Sequence, residues 1–234
     1  MLQCVLRGIV FSALNVVALI GTSSCVSLKS EYPRITYYRL APKPIVPMDS
    51  RINDILLVKT FSIDSEFDTE HLLAIVPSST GSGADTEVQR YHYHRWISEP
   101  RELVTSYVVN RIQASSLFAG GVFIEHSTIT PTVELEGRII EFTGRNGFSS
   151  PSTGKNTTPN SATVVLHLTF KRFLASTPVP VILLQQTYTH TAARPDNTAA
   201  SISDALSEAL SAVIDAALQD VSKLLTTPST DAKQ

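Results

Sequence analysis

Cysteine is nearly absent from this chain of 234 residues, which holds only Cys4 and Cys25. No framework of several disulfides can therefore stabilise it. Tryptophan occurs once, at Trp96. Charge is sparse too: Lys, Arg, Asp and Glu make up 17% of residues, below the usual quarter, and Ser and Thr fill the gap. The net charge is -2, and no run of like charges occurs. Nothing here implies a basic face for nucleic acid or a polyionic tail. No apolar stretch reaches the about 20 residues that a membrane-spanning helix needs. What remains is 43% hydrophobic, a globular composition, and the length suits one ordinary domain with a sizeable core.

The N-terminus differs from the rest. In "MLQCVLRGIVFSALNVVALIGTSSC", one basic residue, Arg7, precedes an apolar stretch from Gly8 to Ile20. Small residues Gly21 to Ser24 follow, and then Cys25. This pattern reads as a secretory signal over residues 1–24. Cys4 would leave with the signal, so the mature chain could form no internal disulfide. A lone cysteine at a signal's end resembles the bacterial lipobox, where that cysteine is acylated and becomes the new N-terminus. Ser23 and Ser24 suit the lipobox, whereas Thr22 stands where Leu is usual. Plain cleavage nearby, leaving a soluble secreted protein, stays open beside it. One acyl chain holds a protein marginally and two or more hold it stably. Val26 follows the cysteine where Asp would signal retention, so enterobacterial sorting logic favours the outer membrane.

Residues 25–33 read as a tether. "ITYYRL" (Ile35–Leu40) is a first strand by its β-branched and aromatic content. "APKPIVP" is a linker or an edge crossing. The apolar run Ile55–Val58 suits a strand buried on both faces. "EVQRYHYHRWI" alternates, with Tyr91, Tyr93 and Arg95 on one face and His92, His94 and Trp96 on the other. A helix follows, with Ser98 as cap, Glu99 and Pro100 at its start, and a stripe of Leu103, Val104, Tyr107, Val108 and Ile112. Gly120 and Gly121 are free to take left-handed conformations after it. "VELEGRIIEF" puts Glu134 and Glu136 on a solvated face. After a long Gly/Ser/Pro loop, residues 162–174 and 180–191 form a hairpin. Ser201 and Asp204 open a last helix in a near capping box, with Ile202, Leu206, Leu210, Val213, Ala217, Val221 and Leu224 along one face. Residues 227–234 read as a disordered tail. The expected fold is one α/β (α+β) domain over residues 34–226: a two-layer sandwich of a mixed sheet with two main helices on one face.

Catalytic signatures are thin. His92 and His94 could share a metal, but zinc needs three or four ligands, and His71, His126, His167 and His190 show no ligand spacing. "STGKN" at 152–156 mimics the end of a phosphate loop, yet Ser149 replaces its first glycine and Asn156 its magnesium ligand. No nucleophile elbow is present. We expect no metal, no cofactor and no enzyme activity. The competing expectation is a soluble periplasmic metal-binding module or enzyme built on His92 and His94.

The signal ending at Cys25, the strand Tyr37-Tyr38-Arg39-Leu40, the segment with Tyr91, Tyr93, Trp96 and Pro100, and the helix ending at Ser116, Leu117 and Phe118 together resemble a known family. It is the ABC-type transport auxiliary lipoproteins, which include the paraquat-inducible lipoprotein C-like proteins. The likeness spans about residues 35–225, and the loops near 77–86 and 144–160 look longer than the family's. It implies a periplasmic lipoprotein, anchored at Cys25 in the outer membrane of a Gram-negative bacterium. Its partners would be an MCE-domain protein and the ATPase and permease of an ABC transport system that moves lipids or other apolar molecules. Members form oligomeric rings, so the resemblance leaves self-association open to this chain. Tyr91, Tyr93 and Trp96 are then expected in a docking or packing surface, since aromatics suit both.

Overall fold

In the computed structural model, residues 33–45, 47–77, 86–125, 127–149, 156–174 and 179–226 are described. The expected signal, Cys25 and the C-terminal tail lie outside them. In chain order the elements are β1 (Thr36–Tyr38), β2 (Leu56–Val58), β3 (Ser62–Ile63), β4 (His71–Pro77), β5 (Thr86–Trp96), α1 (Pro100–Ser115) and β6 (Val122–Ile124). Then come β7 (Val133–Arg145), β8 (Phe148–Ser149), β9 (Asn156–Thr158), β10 (Ser161–Arg172), β11 (Val181–Ala193) and α2 (Ala199–Thr226).

The spine is β7. One edge pairs antiparallel with β10 over its whole length, from Val133↔Arg172 to Arg145↔Ser161. Its other edge takes three short parallel partners in turn: β2 at Val133–Leu135, β3 at Arg138–Ile139 and β4 at Gly144–Arg145. The main sheet runs β1-β5-β4-β7-β10-β11, with β6 paired to β2, and β8–β9 stand apart as a small hairpin. The expected hairpin of β10 and β11 forms, because Val164, Leu166, Leu168 and Phe170 alternate inward and are all buried. The Ile55–Val58 run lies inside the sheet, between β6 and β7, which is why it reads as apolar rather than alternating.

Both helices pack on one face of this sheet, giving the expected mixed-sheet α+β architecture. On α2, Ile202, Leu206, Leu210, Val213, Ala217 and Val221 are buried, while Leu224, the last of the expected stripe, is exposed. Ser207 and Ser211 are buried on the same helix and donate to the carbonyls of Ser203 and Ser207. Serine can sit in this core because those hydroxyls are satisfied within the helix itself.

The helix ends differ from expectation. Glu99, not Ser98, is the N-cap of α1, and its carboxylate binds Arg101 Nε at 2.8 Å rather than capping. Pro100 fixes the first turn instead, where its missing N–H costs nothing. Ser116, not a glycine, takes the left-handed position that ends α1, with φ 58°. Gly121 takes φ 101°, while Gly120 is needed for close approach: a Cβ there would meet the Asp54 carbonyl oxygen at 2.7 Å. At α2, Thr198 is the cap. Its Oγ1 accepts from Ser201 N–H at 3.2 Å, so Ser201 sits in the first turn.

Candidate functional site

The aromatic strand β5 is not regular. Arg95 pairs with His71 but Tyr91 pairs with Leu72, so residues 92–94 bulge out of the ladder with β4. Alternation fails across that bulge. The Tyr91 ring lies 6.0 Å from that of His94, and its hydroxyl donates to Asn197 O at 3.2 Å and accepts from Asn146 Nδ2 at 3.3 Å. His94 Nδ1 is 3.0 Å from Tyr38 Oη. The His92 ring meets His71 edge-on instead, at 5.7 Å. His92 and His94 therefore have separate neighbours and do not share one strand face as alternation implied. Among the described residues, no three His, Cys, Asp or Glu side chains gather where they could hold a metal. His126 lies outside those residues.

Tyr91, Tyr93 and Trp96 consequently form no single surface. Trp96 is 3% exposed and packs at a tilt against Phe142, with ring centroids 5.4 Å apart. Tyr91 is half-buried at the junction with α2, and Tyr93 is 51% exposed. Beside the bulge, two buried atoms, His71 Nδ1 and Arg95 Nε, have no hydrogen-bond partner among the described residues.

A second feature has no counterpart in the expectations. The proline-rich segment after β1 is a strap laid along the seam of α1 and α2. Ser203 Oγ donates to Arg39 O at 2.9 Å, Ala41 N–H donates to Ser207 Oγ at 2.9 Å, and Lys43 pairs with Asp204. Arg111 is the clamp. Its Nε and Nη2 bind both oxygens of Asp215 at 2.8 and 2.6 Å. Its Nη1 and Nη2 also donate to the Lys43 and Pro44 carbonyls at 3.2 and 3.4 Å. Such a planar fork is what an arginine, not a lysine, supplies. Met48 N–H then reaches Ser115 O at 2.9 Å and Ile52 N–H reaches Leu117 O at 2.7 Å. Between strap and α1 is a cleft of about 250 Å³, walled by Leu40, Pro42, Ile45, Leu103, Tyr107 and Ala114. Sequence reasoning passed over Arg111, although it falls on the face that α1 buries with Val104, Val108 and Ser115. A charge inside an apolar stripe was the available signal.

On the other side of the sheet, Glu134 is 8% exposed, not solvated as expected. It sits with Glu136 between Lys59, 3.5 and 3.4 Å away, and Lys171. The hydrogen bond from Lys171 is the main reason that the Glu136 carboxyl is held below the usual carboxylate range, against the opposing effect of burial. This quartet ties the chain after β2 to β7 and β10. Buried Arg194 does similar work at the start of α2, donating to Arg145 O, Asn146 Oδ1, Thr198 O and Ser201 Oγ. Both are structural joints.

No family model matches the chain and no curated protein matches it. Solved structures do. The crystal structure of protein XCC0632 from Xanthomonas campestris, a DUF330 protein, matches with a TM-score of 0.62 at 17% identity, over 81% of this chain and 95% of that one. The crystal structure of an uncharacterized protein matches with a TM-score of 0.56 at 8% identity, over 80% of this chain and 99% of that one. At such identities the likeness is one of fold.

Proposed function

We propose that this chain is a lipoprotein held by acylated Cys25 to the periplasmic face of a Gram-negative outer membrane. There it is a non-enzymatic auxiliary component of an ABC/MCE-type system that moves lipids or other apolar molecules across the envelope. The observation that carries this reading is the continuity of anchor and strap. A signal-like N-terminus closes on Cys25, and about ten residues later the chain enters β1 and passes into the strap. That strap is bonded to both helices, through Arg111 and Tyr107 on α1 and Ser207 on α2. Fold likeness to the DUF330 structure supports the domain's shape. The resemblance described above supplies the partners.

The test is cross-linking in intact cells, followed by purification through a C-terminal tag. An MCE-domain protein and its ATPase are expected with the wild type, and neither with a Cys25→Ala variant. Membrane-anchored protein that brings down neither partner would reject the transport role.

A further inference from the structure

Exposed apolar side chains gather at one end of the sheet. Among the described residues, thirteen large hydrophobic side chains are exposed, and five of them lie around the end of the β10–β11 hairpin: Phe173, Leu174, Val179, Val181 and Ile182. Single exposed apolar residues are ordinary, whereas a cluster marks a surface that something covers. The same hairpin is well covered farther along, where Val164, Leu166, Leu168 and Phe170 are buried. Its end is covered on neither face. Val181 and Ile182 are consecutive on β11, so their side chains leave the strand on opposite faces. They are 47% and 54% exposed. Phe173 N–H donates to Thr132 O at 2.9 Å, so the base of this end is held to the chain that leads into β7.

We infer that this hairpin end is a membrane contact, which dips into the interfacial layer of a phospholipid bilayer. Two observations favour lipid over a protein partner. A protein laid against the tip would cover one face and leave the other in water, whereas lipid surrounds both. The charge of the hairpin fits as well. Residues 161–193 contain no Asp or Glu, so the hairpin itself does not repel lipid phosphates. Their only Lys and Arg are Lys171 and Arg172, directly behind the apolar tip. Lys171 pairs with Glu136, and Arg172 pairs with Asp54 at 2.8 Å, so neither carries a bare charge towards the apolar layer. Apolar burial, rather than attraction to anionic headgroups, therefore drives the contact. It is separate from an acyl anchor at Cys25 and does not depend on it.

The experiment places a thiol-reactive nitrobenzoxadiazole label on full-length Ile182→Cys protein and, as a control, on Thr191→Cys protein. Both positions are exposed, and they stand at opposite ends of β11, about 30 Å apart. The wild type treated with the same label, whose only cysteines are Cys4 and Cys25, is the blank. Each protein is reconstituted with vesicles of phosphatidylethanolamine and phosphatidylglycerol that carry nitroxide on their acyl chains. An interfacial contact sits about 5–10 Å into the boundary of headgroup and acyl chain, so quenching at residue 182 is expected to exceed that at residue 191 by roughly threefold or more. Adding Phe173→Asp and Val179→Asp should bring it down to the level of residue 191. Quenching at residue 182 no greater than at residue 191 would overturn the proposal. So would a label at residue 182 that native envelopes shield from aqueous iodide and that nitroxide lipid does not quench, because a protein would then cover the tip.

Discussion

Trp96 packs its indole on Phe142 in the core, while Tyr93, three positions earlier, faces solvent. Truncating them must therefore give different results. Trp96→Ala removes a buried aromatic and is expected to cost about 3–5 kcal/mol of folding stability in urea denaturation. Tyr93→Ala is expected within about 0.5 kcal/mol of the wild type. Equal losses would contradict the bulged strand. Tyr188 gives a pH test. Burial, then its hydrogen bond to Asp220 at 3.1 Å, pushes its phenol up from 10.0 to about 12. The folded state holds that proton more tightly than the unfolded state does. Its contribution is thus fully present below pH 10.0 and lost as pH rises towards about 12. Stability should fall by on the order of 2 kcal/mol across that window from this group, and Tyr188→Phe should flatten the slope. A variant that keeps the full alkaline loss would show the phenol to be unimportant. Glu136 has the opposite sign. Lys171 holds its folded pKa low, so its contribution is present above the usual carboxylate range and lost as pH falls through the folded value.

At the scale of elements, the strap is the part most open to test. Arg111→Ala removes its clamp and leaves the Lys43 and Pro44 carbonyls without their donor. About 1–3 kcal/mol of stability should go, and amide exchange at Ala41 should rise by roughly tenfold while that of β10 rises less. Uniform acceleration would mean that the strap is not a separate unit. The long elements were legible in the sequence because a single rule governs each. β10 alternates because one face is buried, and α2 repeats Ile202, Leu206 and Leu210 because one stripe meets the sheet. The errors arose where pairing overrode pattern. The β5 bulge depends on how β4 pairs, which the residues between Tyr91 and Trp96 do not encode by themselves. Glu134 reads as solvated until Lys59 and Lys171, 75 and 37 positions away in sequence, are brought beside it. Thr198 displaced Ser201 as a cap because several hydroxyls compete near one helix start and sequence does not rank them.

At the scale of the whole molecule, one α+β domain has its entering chain fastened across both helices. The proposed envelope role rests on a lipid anchor at Cys25. The most direct test is the intact mass of the membrane-extracted protein. The account predicts a mature chain that begins at Cys25 and carries the added mass of acyl chains. A chain without lipid, or one cut at another residue, would contradict it and return the protein to the soluble alternatives.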